Sequence, residues 1–180
     1  MNIKEHVLAL ITKASTDLPA DVEASLRKIK DEEEQGSTSK FAVEVILENV
    51  ETARKEKVPM CQDTGTLIFE IFYPQKLSTL EIKKEIEEAV VEATSRSILR
   101  PNAVDSITGK NSGNNLGTGQ PYFHFNEWKE DKLEIHLLLK GGGSENVGAQ
   151  YKLPDAKLNA GRDLDGVRKL VLDAVFKAQG

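Results

Sequence analysis

The sequence is short of cysteine and of long hydrophobic runs, and it has no net positive charge. Its 180 residues contain one cysteine, Cys61, so no internal disulfide can form, which argues against a disulfide-stapled secreted fold. The formal net charge is -5, which argues against binding nucleic acid through bulk electrostatics. No apolar run is long enough to cross a bilayer, and the charged N-terminus lacks the apolar core of a signal peptide. These absences predict a cytoplasmic protein with neither nucleic acid nor a membrane as partner.

Helical periodicity marks both ends of the chain. Apolar residues recur at helical spacing in three segments before residue 58, in a segment that begins at the capping box Ser78 to Glu81, and in a last segment from Leu164. Between the helices, residues 66–73 alternate as a strand that Pro74 closes. The length suffices for one hydrophobic core and is short for two, so we predict a single domain over residues 1–180.

Two more alternating segments, 122–126 and 133–139, flank a short polar connection and predict a β-hairpin. With the helices, they predict an α+β fold, in which an antiparallel sheet including the hairpin is flanked by helices at both ends of the chain. His124 and His136 share the less apolar phase of these strands. Exposed sheet residues are commoner there than metal ligands, since no third ligand is near in sequence.

The segment between the fourth helix and the hairpin is rich in turn-forming residues and predicts a long loop. A loop of this length in a compact domain is usually a lid or a binding surface, and disorder is the alternative. Arg100 lies near its start, where the guanidinium has the geometry to hold a carboxylate through two hydrogen bonds. Most single arginines are surface charges, so both interpretations of Arg100 stay open.

Reactive groups concentrate after the third helix. The thiol of Cys61 is followed by the amide of Gln62, the carboxylate of Asp63 and the hydroxyl of Thr64. A lone cysteine is usually a small buried hydrophobe, but these polar neighbours would need hydrogen-bond partners if they were buried. The residues alone therefore leave a structural and a reactive role for Cys61 open.

A run of three glycines follows the last predicted strand. Gly142 and Gly143 lack a Cβ, so their backbone amides could meet an anion closely, although a plain structural turn is the alternative. The run is not a Walker A loop, because its lysine precedes the glycines. We expect the Cys61, Arg100 and glycine segments to converge, since each lies at the end of a predicted helix or strand.

Three motifs now stand in order: CQDTG at 61–65, LRPNA at 99–103 and KGGGSEN at 140–146. Together they resemble the α subunit, or N-terminal region, of class I iron–sulfur fumarate hydratases and the similar L-tartrate dehydratases. The resemblance implies a hydro-lyase that reversibly hydrates fumarate to malate, or dehydrates tartrate. In that family a four-iron four-sulfur cluster, held by three cysteines, acts as a Lewis acid on the dicarboxylate.

The resemblance also implies roles for individual residues. Cys61 matches a ligand of the cluster, and Asp63 matches a catalytic residue that supports the proton-abstracting group, which comes from a later domain of the family. The positions that match dicarboxylate-binding residues are Gln62, Arg100, Gly142 and Gly143. Fumarate and tartrate are not separated by these residues, because both are four-carbon dicarboxylates.

One cysteine is too few for a cluster that needs three. We therefore expect the chain to be the N-terminal part of a longer α subunit, inactive alone and without its cluster. The expected partners are a β subunit or C-terminal domain and further copies in a homo-oligomer. Cys61 is then expected at an exposed surface. The alternative hypotheses are a small anion- or nucleotide-binding module and a non-catalytic assembly domain.

Overall fold

The computed structural model describes residues 2–178, without the side chains of residues 144 and 145, and these residues form two compact units. The first unit ends at Gly141 and contains α1 (Ile3–Thr16), α2 (Ala20–Glu32), α3 (Thr38–Glu56), β1 (Thr66–Pro74), α4 (Thr79–Ser95), β2 (Tyr122–Trp128) and β3 (Glu134–Lys140). The second unit contains a short 3-10 helix (Gly143–Val147) and α5 (Leu164–Ala178). The predicted helices and the α+β class are confirmed.

Three helices of the first unit begin where a side chain satisfies a free backbone amide. Asn2, Ser37 and Ser78 cap α1, α3 and α4, and each accepts a hydrogen bond from the N–H three residues later, at 3.2, 3.1 and 3.4 Å. Helix α3 is followed by Lys57, whose φ of 54° lies in the left-handed region and turns the chain out of the helix. This turn leads directly to the segment that contains Cys61.

The sheet is mixed, in the order β2-β1-β3. Strand β1 pairs in parallel with β2 and antiparallel with β3. The predicted antiparallel sheet is therefore wrong, and so is the predicted hairpin, because β1 lies between the two strands that would have formed it.

The central place of β1 has a physical cause. Leu67, Phe69 and Ile71 are all buried, so β1 is the strand whose apolar side chains are best protected from water when it has a neighbouring strand on each side. Helix α4 supplies the crossover that a parallel β1-β2 pair requires. The connection 129–133 is long enough to cross one intervening strand, a span of roughly 10 Å, so closeness in sequence does not force β2 and β3 to pair.

Helices α1 and α4 pack against one face of the sheet and form the core with it. A fully buried aliphatic or aromatic side chain contributes about 1.5–3 kcal/mol relative to exposure. The core side chains of these elements include Val7, Ile11, Phe69, Ile71, Ile82, Ile86 and Val90. Among the residues that the structure describes, no helix combines the length and apolar character needed to cross a membrane.

Helices α2 and α3 are joined at their surface by charged side chains. Arg54 donates hydrogen bonds to Glu23 at 2.6 Å and to Asp17 at 2.8 Å. Arg27 donates to Glu23 at 2.6 Å and to Glu51 at 3.2 Å. The guanidinium groups of Arg27 and, second, Arg54 lower the pKa of Glu23.

Residues 96–121, which include the predicted long loop, are built from hydrogen-bonded turns. Val104 and Asn111 form an isolated bridge, and the carboxylate of Asp105 accepts a hydrogen bond from the N–H of Thr108 at 2.7 Å. These bonds give the loop a defined path without a helix or a strand, which is how a rigid binding surface can be built from turn-forming residues.

The second unit, taken by itself, is a helix with a preceding loop bound to it. The phenol of Tyr151 donates a hydrogen bond to Asp173 on α5 at 2.6 Å. At the start of α5, the N–H of Gly166 donates to the carboxylate of Asp163 at 2.7 Å and so gains a side-chain cap. The unit therefore has internal contacts of its own along α5.

Candidate active site

The segment of residues 58–66, here called the Cys61 loop, is held by α1 and α3. The N–H of Met60 donates to the carbonyl oxygen of Ser15 at 3.0 Å. The side chain of Asn49 donates to the carbonyl oxygen of Met60 at 2.9 Å. These bonds fix the residue before Cys61, while Cys61 and Gln62 themselves are exposed. The exposure expected for Cys61 is confirmed.

Asp63 lies in a tight turn at the start of β1. Its Oδ1 accepts a hydrogen bond from the N–H of Gly65 at 2.9 Å, which is an Asx turn. Gly65 has a φ of 79°, and a Cβ there would lie 2.6 Å from the carbonyl carbon of Lys140, so only glycine fits. Asp63 Oδ2 lies 3.6 Å from the place of a Cβ on Gly141. The carboxylate is therefore oriented, and it lies beside the start of the glycine run.

Thr64 connects the Cys61 loop to residues 99–103, here called the Arg100 loop. Its buried Oγ1 accepts hydrogen bonds from the N–H of Arg100 at 3.0 Å and from the side chain of Asn102 at 3.4 Å. The Asn102 side chain also donates to the carbonyl oxygen of Gly65 at 3.3 Å. The Cys61 loop is thus in direct contact with the Arg100 loop as well as with Lys140, the first residue of the third motif.

The two loops line an open cleft of about 600 Å³. Cys61, Gln62 and Arg100 line it together with the buried Thr64. The Arg100 side chain is exposed and carries five N–H donors in a planar fork, which suits a carboxylate. The cleft therefore brings together a thiol, which can bind a metal, and an amide and a guanidinium group, which can donate hydrogen bonds to a carboxylate.

The cleft does not account for the other three predicted site residues, Asp63, Gly142 and Gly143. Asp63 lies beside Gly141 rather than in the lining of this cleft as far as the described residues show. Gly142 and Gly143 are exposed at the start of the second unit, where Gly143 begins the 3-10 helix. The site roles of all three stay predictions.

Sequence reasoning missed Asn115, a buried polar residue of this site. It is 2% exposed, and its φ of 60° lies in the left-handed region. Its side chain donates to Thr94 Oγ1 and to the carbonyl oxygen of Arg100, both at 2.9 Å, and accepts from the N–H of Asn102 at 2.6 Å. The one available signal was an asparagine among turn-forming residues, which is typical of left-handed positions.

Two of the three histidines, His124 and His136, are exposed sheet residues. Glu70 on β1 lies opposite both His124 on β2 and His136 on β3, so the histidines are not neighbours. His136 Nε2 lies 2.7 Å from the carboxylate of Glu134. Within residues 2–178, no group of three or more His, Cys, Asp or Glu side chains is arranged to hold a metal ion.

Known proteins resemble the chain over nearly its whole length. The Fumerase family, described as fumarate hydratase, matches residues 4–180. The chain is 44% identical over 179 residues to a candidate fumarate hydratase class I of Geobacillus stearothermophilus, covering 98% of the chain and 35% of that protein. It is 33% identical over 185 residues to a candidate L(+)-tartrate dehydratase subunit alpha of Methanocaldococcus jannaschii, covering 100% of the chain and 63% of that protein.

A third relative is the L(+)-tartrate dehydratase subunit alpha of Escherichia coli K12, which is 32% identical over 175 residues, covering 96% of the chain and 56% of that protein. The chain thus spans between 35% and 63% of the length of these curated relatives. The family match includes all three motif segments and the cleft between the Cys61 and Arg100 loops. The chain therefore belongs to the fumarate hydratase family of hydro-lyases.

Proposed function

We propose that residues 1–180 are a single N-terminal domain of the α subunit of a hydro-lyase that adds water to fumarate or removes it from tartrate. The observation that carries the proposal is that Cys61, Gln62 and Arg100 line one cleft. In a member of this family, that arrangement gives a cluster ligand beside donors for a dicarboxylate. The names of the relatives support both acids as substrates.

Arg100 is proposed to bind one carboxylate of the substrate. Its N–H donates to Thr64 and its carbonyl oxygen accepts from Asn115, so the backbone is fixed on both sides of the side chain. Because this backbone is fixed, less conformational entropy is lost when the guanidinium forms two parallel hydrogen bonds to a carboxylate. The exposed amide of Gln62 donates to the substrate from the same cleft. Backbone amides at Gly142 and Gly143 are proposed as further donors.

Cys61 fits one position in the ligand set of a four-iron four-sulfur cluster. The cluster binds thiolates, and Cys61 presents an exposed sulfur next to a residue that is fixed on two helices. When bound, the cluster would supply a Lewis-acidic iron for the hydroxyl group of the substrate. The chain offers one of the three thiolates, so we propose that it is inactive alone and binds the cluster only in the complete enzyme.

Asp63 is proposed to support the group that removes the carbon-bound proton. Its carboxylate is held by the N–H of Gly65, so the second oxygen keeps a defined direction. An oriented carboxylate can accept a hydrogen bond from a base and raise the proton affinity of that base. The base itself is proposed to come from another part of the enzyme.

The complete enzyme is proposed to contain a β subunit or a C-terminal domain, and to be a homo-oligomer. Two relatives are named as α subunits, which supports a separate β subunit as the partner. The chain covers only 35% of the Geobacillus protein, which supports a C-terminal domain in the same polypeptide as the alternative. A free cysteine in the cluster ligand set suits a reducing compartment, so we propose the cytoplasm.

Kinetics of the complete enzyme test the proposal. After anaerobic reconstitution with iron and sulfide, fumarate hydration and tartrate dehydration are measured for the unmodified enzyme and for Arg100→Lys. The change should raise KM about 10- to 100-fold, because lysine cannot form the bidentate contact. Arg96→Lys is the matched control, since Arg96 pairs with Glu92 on α4. No turnover of either acid with an intact cluster, or equal effects of the two changes, would contradict the proposal.

A further inference from the structure

Asn115 forms a buried polar connection between α4 and the Arg100 loop. Its two amide N–H groups donate to Thr94 Oγ1 and to the carbonyl oxygen of Arg100, and its Oδ1 accepts from the N–H of Asn102. Thr94 in turn donates to the carbonyl oxygen of Val90 at 2.8 Å. Both amide donors are thereby used, which fixes the orientation of the side chain.

The surroundings of Asn115 make this arrangement hard to replace. The side chain is 2% exposed, so any donor left without a partner would lose its water as well. The φ of 60° favours asparagine, aspartate or glycine over other residues. Burial and backbone conformation together leave few side chains that could do the same.

The bonds of Asn115 complement those of Thr64. Thr64 holds the N–H of Arg100 and the side chain of Asn102, whereas Asn115 holds the carbonyl oxygen of Arg100 and the N–H of Asn102. The backbone on both sides of the Arg100 side chain is therefore tied to buried groups. We propose that Asn115 is a positioning residue, which sets the direction from which the Arg100 guanidinium meets the dicarboxylate. This inference rests on the proposed function of Arg100.

The expected kinetic result follows from the role of Arg100. A carboxylate contact exists in both the bound substrate and the transition state, so weakening it raises KM and leaves kcat nearly unchanged. Asn115→Gly removes the side chain and tolerates the left-handed backbone, and it should raise KM about 10-fold with less than about a 3-fold change in kcat. In Arg100→Lys, the added Asn115→Gly change should have a much smaller effect, because the two residues act as a unit.

Two further variants separate positioning from general stability. Ile86→Val removes a methyl group from the core of α4, so it should lower Tm and leave KM unchanged. Thr94→Val keeps the volume but leaves one Asn115 donor without its partner, so it should raise KM by a smaller factor than Asn115→Gly. If Asn115→Gly does not fold, Thr94→Val carries the same test.

Hydrogen exchange gives a result that does not depend on turnover. In the complete enzyme without substrate, Asn115→Gly should speed exchange of the Arg100 and Asn102 amides about 10-fold or more, and Ile86→Val should not. Faster exchange together with the KM effect supports the inference. Normal exchange, or a lower Tm with unchanged KM, overturns it. If the unmodified enzyme turns over neither acid, the proposed function is wrong, and Asn115 does not position Arg100 for substrate. Faster exchange in Asn115→Gly would then still show that Asn115 fixes the backbone of the Arg100 loop.

Discussion

Two of the polar networks in the first unit differ in burial and charge. The network behind the cleft is neutral and buried, and it connects Thr64, Thr94 and Asn115 to backbone groups. The network between α2 and α3 is charged and lies at the surface, around Glu23 and Arg54. A buried donor without a partner costs about 1–3 kcal/mol, whereas water and salt screen a surface ion pair. The geometry of the site therefore depends on the neutral network, and the charged network makes a pH-dependent contribution to the stability of the fold.

The largest expected effect is on turnover, and it comes from removing the charge of Asp63, which lies beside Thr64 of the neutral network. In the complete enzyme, Asp63→Asn keeps an acceptor for the Gly65 N–H but removes the negative charge, so turnover should fall about 10²- to 10⁴-fold with the cluster absorbance intact. Asp31→Asn near the end of α2 is the control and should leave turnover unchanged. A normal rate for Asp63→Asn would show that Asp63 is only a turn residue.

A smaller effect, on stability, is expected at two glycines with left-handed backbones. Gly65→Ala should reduce the free energy of unfolding by about 2 kcal/mol or more, because the new Cβ would meet the Lys140 backbone at 2.6 Å. Gly36→Ala, between α2 and α3, should cost only about 1 kcal/mol, since a Cβ there meets no described atom within 4 Å. Urea unfolding measures both. Equal losses of unfolding free energy in the two variants would mean that the close contact between Gly65 and the Lys140 backbone adds nothing to the cost of the Gly65→Ala change.

The smallest effect is expected in the charged network. The lowered pKa of Glu23 stabilises the fold above the pKa of the unfolded state, and this contribution is lost as the pH falls through the folded-state pKa. Glu23→Gln should therefore lower Tm slightly near pH 7, and the difference should vanish in acid and shrink in about 1 M salt. Glu48→Gln, an exposed change on α3, is the control. A difference that persists in acid would exclude the charge of Glu23 as its cause.

The helices could be predicted because their signals are local. The Ser78 capping pattern and the left-handed turn after α3 act within a few residues. The strands could also be located by alternation. Their order in the sheet could not be predicted, because it depends on which strand buries the most apolar surface when it lies in the centre. The buried face of β1 decided that order, and no short segment of sequence reports it.

The site was predictable to a similar extent. The motifs around Cys61, Gln62 and Arg100 place three reactive side chains at element ends, and the fold brings them to one cleft. Asn115 could not be found in this way, because it acts through hydrogen bonds to a residue 15 positions away. A turn-forming asparagine in sequence indicates a backbone conformation and not the partners of its side chain.

Iron and sulfide analysis of a Cys61→Ser variant tests the central claim most directly, namely that Cys61 is a cluster ligand in the cleft lined by Gln62 and Arg100. After anaerobic reconstitution of the complete enzyme, iron, acid-labile sulfide and visible absorbance are measured for the unmodified form, for Cys61→Ser and for Ser97→Ala, which changes another residue of the same cleft. Cys61→Ser should retain little cluster and little turnover with an unchanged fold, because a serine oxygen is a poorer ligand than thiolate, and Ser97→Ala should retain both. Equal iron and sulfide contents in all three forms would contradict the account.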